Sequence, residues 1–365
     1  MLICFSVNEL LMRVASLLPK DKSMLKALIR LPLYLLLLVL PGVQTIASEV
    51  DSKPTLNIAT EVITPALYDK NVGQKYPVVY LFDSSPFYLG SYFAEAKLAL
   101  EQLAAQHSFP EVIIVNVKIA SLYTAVNAKR DNLMAWFQSE LQPEIKANYR
   151  TLNKQVAVGF SYTGGWVAAE LGLHATDLTD VLSLSPVFDN TNYVVKPDEI
   201  AASLPKLRIY FGDEQRRLES QFVSVWAEKK LSEKLQVAQL SGETHQSSFI
   251  PSLRHGLLAV FSDYRAVAYT EMSESHWTTA NVEQFFKQRQ QLYSVRASAE
   301  EKSDLHTAFA KAYTYAGKLE LASEHWLKSS SEYKGYFISQ IAGEVELAGN
   351  AELAIKIRTQ LKSLL

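Results

Sequence analysis

The sequence predicts a fold of the α/β class, in which helices cover both faces of a mostly parallel sheet. Short apolar segments alternate with amphipathic segments from about residue 56 onward, the order expected of strands joined by crossover helices. Apolar runs such as 112–115 are continuous, which is typical of strands buried on both faces. Beyond residue 299 only helical patterns remain. We therefore expect an α/β domain followed by a small all-helical C-terminal extension.

The apolar segments place the strands and the amphipathic segments place the helices. Residues 56–63 are expected to form an antiparallel edge strand. The remaining predicted strands are Pro77–Phe82, Val112–Val117, Gln155–Gly159, Val181–Leu184, Leu207–Phe211 and Leu235–Leu240. The predicted helices between them are Tyr92–His107, Asn132–Asn148, Gly165–Gly172 and Phe222–Lys234.

The amino terminus has the pattern of a targeting segment. Lys26 and Arg30 precede an apolar run over 31–40, and small residues follow it. This run is shorter than the roughly 20 apolar residues that a membrane-spanning helix needs. We therefore predict a signal peptide over 1–47, cleaved after Ala47, and a periplasmic or secreted protein. An uncleaved membrane anchor and a start at Met24 are the alternatives.

The segment 156–165 reads as a buried strand followed by a tight turn that presents Ser161. Small residues on either side of a serine permit the strained turn between strand and helix that is called a nucleophile elbow. The usual pattern is Gly-x-Ser-x-Gly, and here Gly159 fits the first glycine whereas Thr163 occupies the second. Because elbow strain favours residues without a β-branch, Thr163 leaves open a degenerate site.

A nucleophilic serine needs a base, and the base needs a third group to orient it. In the chain order Ser, acid, His, the best base is His245, which follows the last predicted strand. Asp213 and Glu214 follow the strand before it, and Glu214 is ranked slightly ahead of Asp213. Glu243 is a third candidate, although it lies only two residues before the base.

An oxyanion would need backbone donors from the residue after the serine and from the loop after an early strand. These are the N–H groups of Tyr162 and of Ser84, although the segment around Ser84 is equally compatible with an ordinary turn. Aromatic residues near that loop would line an acyl or aryl pocket, or else belong to the core: Phe87, Tyr88, Tyr92 and Phe93.

The C-terminal region contains a short internal repeat. Residues 315–322 are echoed by 347–354, and Gly317 and Gly349 are 32 residues apart, close to the tetratricopeptide period of 34. Two helical hairpins of that kind are predicted, with ordinary packed terminal helices as the alternative. The predicted domains are a targeting segment (1–47), an α/β domain (48–298) and tetratricopeptide-like hairpins (299–365).

Four segments together resemble the family named "Putative esterase" among the α/β hydrolases, especially its branch related to esterase D and enterobactin-type siderophore esterases. They are Lys75–Asp83, Glu144–Arg150, Ser183–Pro186 and Gly242–His245, within about 56–261. The resemblance implies an α/β-hydrolase fold and an acyl-enzyme on Ser161, with His245 as base. Feruloyl esterases, S-formylglutathione hydrolases and mycolyltransferases are other members. Members of the branch commonly have Gly-His-Ser-x-Gly-Gly at the elbow, where this chain has Phe160 and Thr163.

Composition excludes several other classes of function. A net charge of −2 over 365 residues gives no electrostatic basis for binding nucleic acid, and a single cysteine excludes an internal disulfide and a cysteine-based zinc site. We therefore expect an exported hydrolase of small-molecule carboxylic esters that needs no metal and no organic cofactor. The alternatives are acyl transfer to an alcohol, and a non-catalytic protein that binds a protein partner through its C-terminal helices.

Overall fold

The computed structural model describes residues 58–83, 92–105, 109–119, 133–174, 177–188, 204–213 and 232–364. The predicted signal peptide, its cleavage position at Ala47 and the alternative start at Met24 lie outside these ranges. Glu214 and Ser84 also lie outside them, as do Phe87 and Tyr88.

Within the described residues, seven strands form one sheet in the order β1-β3-β2-β4-β5-β6-β7. Of these seven strands, only β1 is antiparallel to its neighbour, with Ile58 opposite Ile119 and Ile63 opposite Ile114 on β3. The predicted α/β class and antiparallel edge strand are therefore confirmed. The strands are β1 Ile58–Ile63, β2 Tyr76–Asp83, β3 Ile113–Ile119, β4 Thr151–Phe160, β5 Asp180–Leu184, β6 Lys206–Phe211 and β7 Leu235–Gln239.

Both faces of the sheet are buried, which explains why its central strands read as continuous apolar runs. In β2, for example, Val78 and Tyr80 face one hydrophobic core while Val79 and Leu81 face the other. The alternation follows from the two-residue period of a strand. Every strand residue between positions 76 and 82 is buried as a result.

In the part of the chain that the structure describes, two helices cover each face of the sheet. One face is covered by α1 (Tyr92–Ala105) and α4 (Phe249–Val260). The other face is covered by α2 (133–148) and by α3 (162–174), which starts directly after the serine. A π-helical turn interrupts each of the latter two, at Phe137–Leu141 and Val167–Leu171. Of the predicted helix Phe222–Lys234 the structure describes only Ser232–Lys234, a 3-10 turn.

The C-terminal helices build a separate third core. They are α5 Tyr269–Met272, α6 Thr279–Tyr293, α7 Ala299–Tyr315, α8 Leu319–Lys328, α9 Lys334–Leu347 and α10 Ala351–Gln360. Helix α6 belongs to two cores, since Val282 and Phe286 pack in the third core and Tyr293 packs with the sheet.

The two glycines of the sequence repeat occupy equivalent turns. Gly317 lies between α7 and α8 with φ of 72°, and Gly349 lies between α9 and α10 with φ of 89°. A positive φ of this kind is accessible to glycine without steric cost. The membership of these hairpins in the tetratricopeptide class stays a prediction. Among the described helices, none is both long enough and apolar enough to cross a bilayer.

Candidate active site

Ser161 occupies a strained turn at the carboxyl end of β4. Its backbone has φ of 59° and ψ of −120°, a conformation that residues with a side chain rarely adopt. Its N–H donates to Leu184 O (2.9 Å), and its carbonyl accepts from Gly165 N (3.0 Å) and Val187 N (2.9 Å). These bonds tie the serine to the end of β5 on one side and to helix α3 on the other. The backbone therefore has the geometry of a nucleophile elbow.

Two glycines make this close approach of backbones feasible. A Cβ atom at Gly159 would lie 2.4 Å from Thr163 O, and one at Gly165 would lie 2.2 Å from Val187 O. Both distances are far below van der Waals contact, so neither position tolerates a side chain without movement of the backbone. Glycine is therefore required at 159 and 165, because the neighbouring backbone leaves no room for a Cβ atom.

Thr163 does not disturb the elbow. The left-handed backbone conformation is at Ser161, whereas Thr163 lies inside helix α3 and is buried. Its hydroxyl accepts from Phe160 N–H (2.9 Å) and donates to Phe160 O (2.8 Å). Our expectation that a β-branched residue conflicts with the strain is therefore wrong: the threonine fixes the last residue of β4 instead.

His245 lies next to the serine. Its Nε2 is 3.0 Å from Ser161 Oγ, although the two residues are 84 positions apart in sequence. The histidine follows β7 on a turn that contains Gly242, whose φ is 84°. A histidine nitrogen at this distance can accept the serine proton when the ring is neutral.

Two buried serines that sequence reasoning missed hold the backbone of the histidine. Ser248 Oγ donates to His245 O (3.0 Å), and Ser185 Oγ lies 2.6 Å from Ser248 Oγ. Because a hydroxyl carries one proton, Ser185 must be the donor to Ser248. This chain of hydroxyl groups joins the end of β5 to the turn that carries the base. Ser185 has φ of 38°, a second strained residue at the same edge of the sheet.

The candidate acids have different surroundings. Asp213 accepts from the side chain of Gln239 (Nε2 to Oδ1, 2.8 Å) and from Gly242 N–H (Oδ2, 2.6 Å), so its carboxylate stabilises the turn before the base. Glu243 Oε2 accepts from Ser247 Oγ (2.6 Å). Glu214 lies outside the described residues.

The N–H of Tyr162, the first predicted oxyanion donor, lies at the N-terminus of helix α3. Helix α3 begins at Tyr162, and its first hydrogen bond is donated by Gly165 N–H to Ser161 O. The N–H of Tyr162 therefore precedes the hydrogen-bonded part of the helix, among the N-terminal donors for which a helix provides no partner of its own. The second predicted donor, Ser84, lies outside the described residues, directly after Asp83 at the end of β2.

A cavity of about 200 Å³ opens beside the serine. Tyr92 and Phe93 line it, as the aromatic-pocket interpretation expected. Phe160 and Phe249 line it as well, and sequence reasoning did not assign them to it. The other lining residues are Leu81, Phe82, Asp83, Ala96, Val158, Gly159, Ser161, Tyr162 and Thr163. Within the described ranges, no group of three or more His, Cys, Asp and Glu side chains is arranged to hold a metal ion.

Comparison with solved structures relates the fold to known ones. An uncharacterised protein from Capnocytophaga ochracea is 14% identical, with a TM-score of 0.55 over 87% of this chain and 92% of that chain. An IroE-like serine hydrolase from Shewanella oneidensis is 17% identical, with a TM-score of 0.47 over 83% and 95%. A ferulic acid esterase from Anaeromyces mucronatus is 18% identical, with a TM-score of 0.48 over 60% and 90%. No curated protein matches the sequence.

The sequence itself matches a known family over most of its length. The profile of the family described as "Putative esterase" covers residues 54–309, which include the whole sheet and both Ser161 and His245. This span is well over half of the 365 residues. The chain therefore belongs to this putative-esterase family and is a carboxylic-ester hydrolase.

Proposed function

We propose that the protein is an exported serine esterase, which cleaves small-molecule carboxylic esters through an acyl-enzyme on Ser161. The observation that carries the proposal is the 3.0 Å contact between His245 Nε2 and Ser161 Oγ at the elbow. A serine hydroxyl is a weak nucleophile unless a base accepts its proton during attack. The contact supplies that base at hydrogen-bonding distance.

The proposed reaction has two halves. His245 Nε2 takes the proton of Ser161 Oγ as the oxygen bonds to the ester carbonyl carbon, giving a tetrahedral oxyanion. The N–H groups of Tyr162 and Ser84 stabilise that oxyanion. The carbon–oxygen bond to the alcohol then breaks, and the imidazolium returns the proton to the departing alcohol oxygen. Water repeats the sequence on the acyl-enzyme and releases the acid, which restores the serine.

Glu214 is our candidate for the acid that orients His245. Its two competitors each have another task, since Asp213 binds Gln239 and Gly242 while Glu243 binds Ser247. Glu214 directly follows Asp213 in the sequence, after the end of β6. Replacement of this acid should lower kcat far more than KM, as expected of a group that holds the imidazole in its working tautomer. Asp213 is the alternative.

Export rests on the charged and apolar pattern before Ala47. The proposal predicts that the mature protein, purified from the medium or periplasm, begins at Ser48. A protein that retains residues 1–47 and stays in the cytoplasm contradicts it. A protein partner for the C-terminal helices stays a prediction.

Hydrolysis of p-nitrophenyl esters by the full chain tests the reaction. Ser161→Ala and His245→Gln should each lower kcat by at least about a thousandfold without a change in thermal stability. Ser139→Ala is the matched control, because Ser139 is an exposed serine on α2 whose hydroxyl donates to the backbone of its own helix. Turnover that survives in Ser161→Ala would contradict the proposal.

A further inference from the structure

The cavity beside Ser161 has a polar mouth and an apolar interior. Asp83 and Ser161 lie at the carboxyl ends of β2 and β4. Leu81 and Val158, which also line the cavity, lie two and three residues earlier on the same strands. Since each strand residue advances about 3.3 Å, the cavity extends roughly 7–10 Å from the catalytic edge into the space between sheet and helices. A ligand that enters at the serine thus reaches apolar surroundings.

Three of the aromatic rings that line this cavity pack on one another and form one of its walls. The ring of Phe160 packs against Tyr92 (4.7 Å between centroids) and Phe249 (5.1 Å), and Tyr92 packs against Phe249 (4.7 Å). The Phe160–Phe249 pair and the Tyr92–Phe160 pair have edge-to-face geometry, which aromatic rings favour. Mutual packing of this kind holds the wall rigid.

Phe160 connects this wall to the catalytic pair. Its ring lies 5.1 Å from the ring of His245, at an angle of 33°. Phe160 immediately precedes Ser161, and both its backbone N–H and its carbonyl bond the hydroxyl of Thr163. A group that packs on Phe160 therefore lies beside both the nucleophile and the base. This is the place of the acyl group in an ester that Ser161 attacks.

We propose that the cavity binds the acyl part of the substrate, and that this part is an unbranched aliphatic chain of about four to eight carbons. The proposal rests on the proposed function of Ser161. The volume of about 200 Å³ accommodates several methylene groups. Asp83 is the only carboxylate, and no Lys, Arg or His is present, among the described residues that line the cavity. Phe160 and Ala96 are the specificity-determining residues.

An aliphatic acyl group fits the interior better than a phenolic one. A phenol hydroxyl that enters the interior must exchange water for a protein partner, or else it is buried at a cost. The lining side chains farthest from the serine along the strands are Leu81 and Val158, which offer no such partner. Thr163 has a hydroxyl, but that hydroxyl already bonds the backbone of Phe160 twice.

The test is kcat/KM of the full chain for p-nitrophenyl esters from acetate to dodecanoate. Each added methylene that becomes buried should raise kcat/KM by up to about fourfold, up to a maximum between butanoate and octanoate. Methyl hexanoate should also be a better substrate than methyl ferulate. A profile that is flat or falls from acetate onward, or a preference for the ferulate, overturns the proposal.

A cavity-filling substitution tests the assignment independently. Ala96 is buried on α1 and lines the cavity. Ala96→Leu should therefore lower kcat/KM for p-nitrophenyl hexanoate at least about tenfold, and change kcat/KM for p-nitrophenyl acetate by no more than about twofold. Ala94→Leu is the matched control, because Ala94 is exposed on the same helix. If Ala96→Leu lowers kcat/KM equally for both esters, the assignment is wrong. If Ala96→Leu does not fold, Ala96→Val and the chain-length series of the unmodified protein still decide.

The failure of this inference differs from a failure of the proposed function. If Ser161 is not a nucleophile, none of the esters is hydrolysed in a way that depends on Ser161. If only the acyl preference is wrong, p-nitrophenyl acetate is still hydrolysed and Ser161→Ala abolishes this activity, but kcat/KM is flat or falls with chain length, or the ferulate is preferred.

Discussion

Acidification should destabilise the helical C-terminal extension through one pair of buried histidines. His306 Nδ1 lies 2.9 Å from His325 Nδ1, and both rings are buried between helices α7 and α8. His325 Nε2 lies 2.9 Å from the carbonyl of Trp277, to which it must donate. A neutral His325 therefore has its lone pair on Nδ1, and His306 donates its own Nδ1 proton to it. The bond between the two rings needs a neutral His325, whereas a proton added to His306 Nε2 leaves that bond in place but puts a charge on a buried ring.

The size of the effect follows from the pKa values. Burial, and next the neighbouring His325, lowers the pKa of His306 from 6.5 to about 4, and burial also lowers the pKa of His325. Between these two values the unfolded chain binds more protons than the folded one, so the free energy of unfolding decreases as the pH falls from 6.5 to about 4. For His306 alone the decrease is about 3 kcal/mol. Above pH 6.5 this contribution is fully present.

The assay is urea unfolding at several pH values between 7.5 and 4, followed by tryptophan fluorescence. Over this pH range the free energy of unfolding of His306→Gln should decrease by about 3 kcal/mol less than that of the unmodified protein. The reason is that the glutamine amide still donates to His325 but does not titrate. His255→Gln is the control, since His255 is exposed on α4. The same loss of stability in His306→Gln and in the unmodified protein would show that His306 does not cause this pH dependence.

Two further predictions concern the surroundings of the catalytic pair. Thr163→Val keeps the shape of the side chain but removes both hydrogen bonds to the backbone of Phe160. It should therefore lower the free energy of unfolding, measured by chemical denaturation, by about 1–3 kcal/mol. Thr163→Ser keeps the hydroxyl and should retain most of the stability. Ser248→Ala breaks the bond to His245 O, so kcat should fall about five- to tenfold at unchanged KM. Ser252→Ala should leave kcat unchanged, because Ser252 is equally buried on α4 and, among the described residues, its hydroxyl has no partner.

The strands and the elbow could be predicted because their signals are local. A strand buried on both faces leaves a continuous apolar run, and the segment around Ser161 carries its glycines within a few residues. The proximity of His245 to the serine was also predictable, because the carboxyl ends of parallel strands meet at one edge of the sheet. The contact of 3.0 Å agrees with that expectation.

The remaining features depend on contacts between distant segments. Ser185 and Ser248 are 63 residues apart, and only the packing of α4 on β5 brings their hydroxyl groups together. Phe249 joins the cavity for the same reason, since no local pattern distinguishes it from a core residue. The role of Thr163 was misjudged, because the pattern alone does not tell which residue of the elbow carries the strain.

The most direct test of the proposed mechanism is to locate the covalent adduct. The full chain is treated with a fluorophosphonate probe, digested and analysed by mass spectrometry. We expect one equivalent of adduct on the peptide that contains Ser161, strongly reduced labelling in His245→Gln, and no labelling in Ser161→Ala. Adduct on another serine, or an unmodified Ser161 in a protein that still hydrolyses esters, would contradict it.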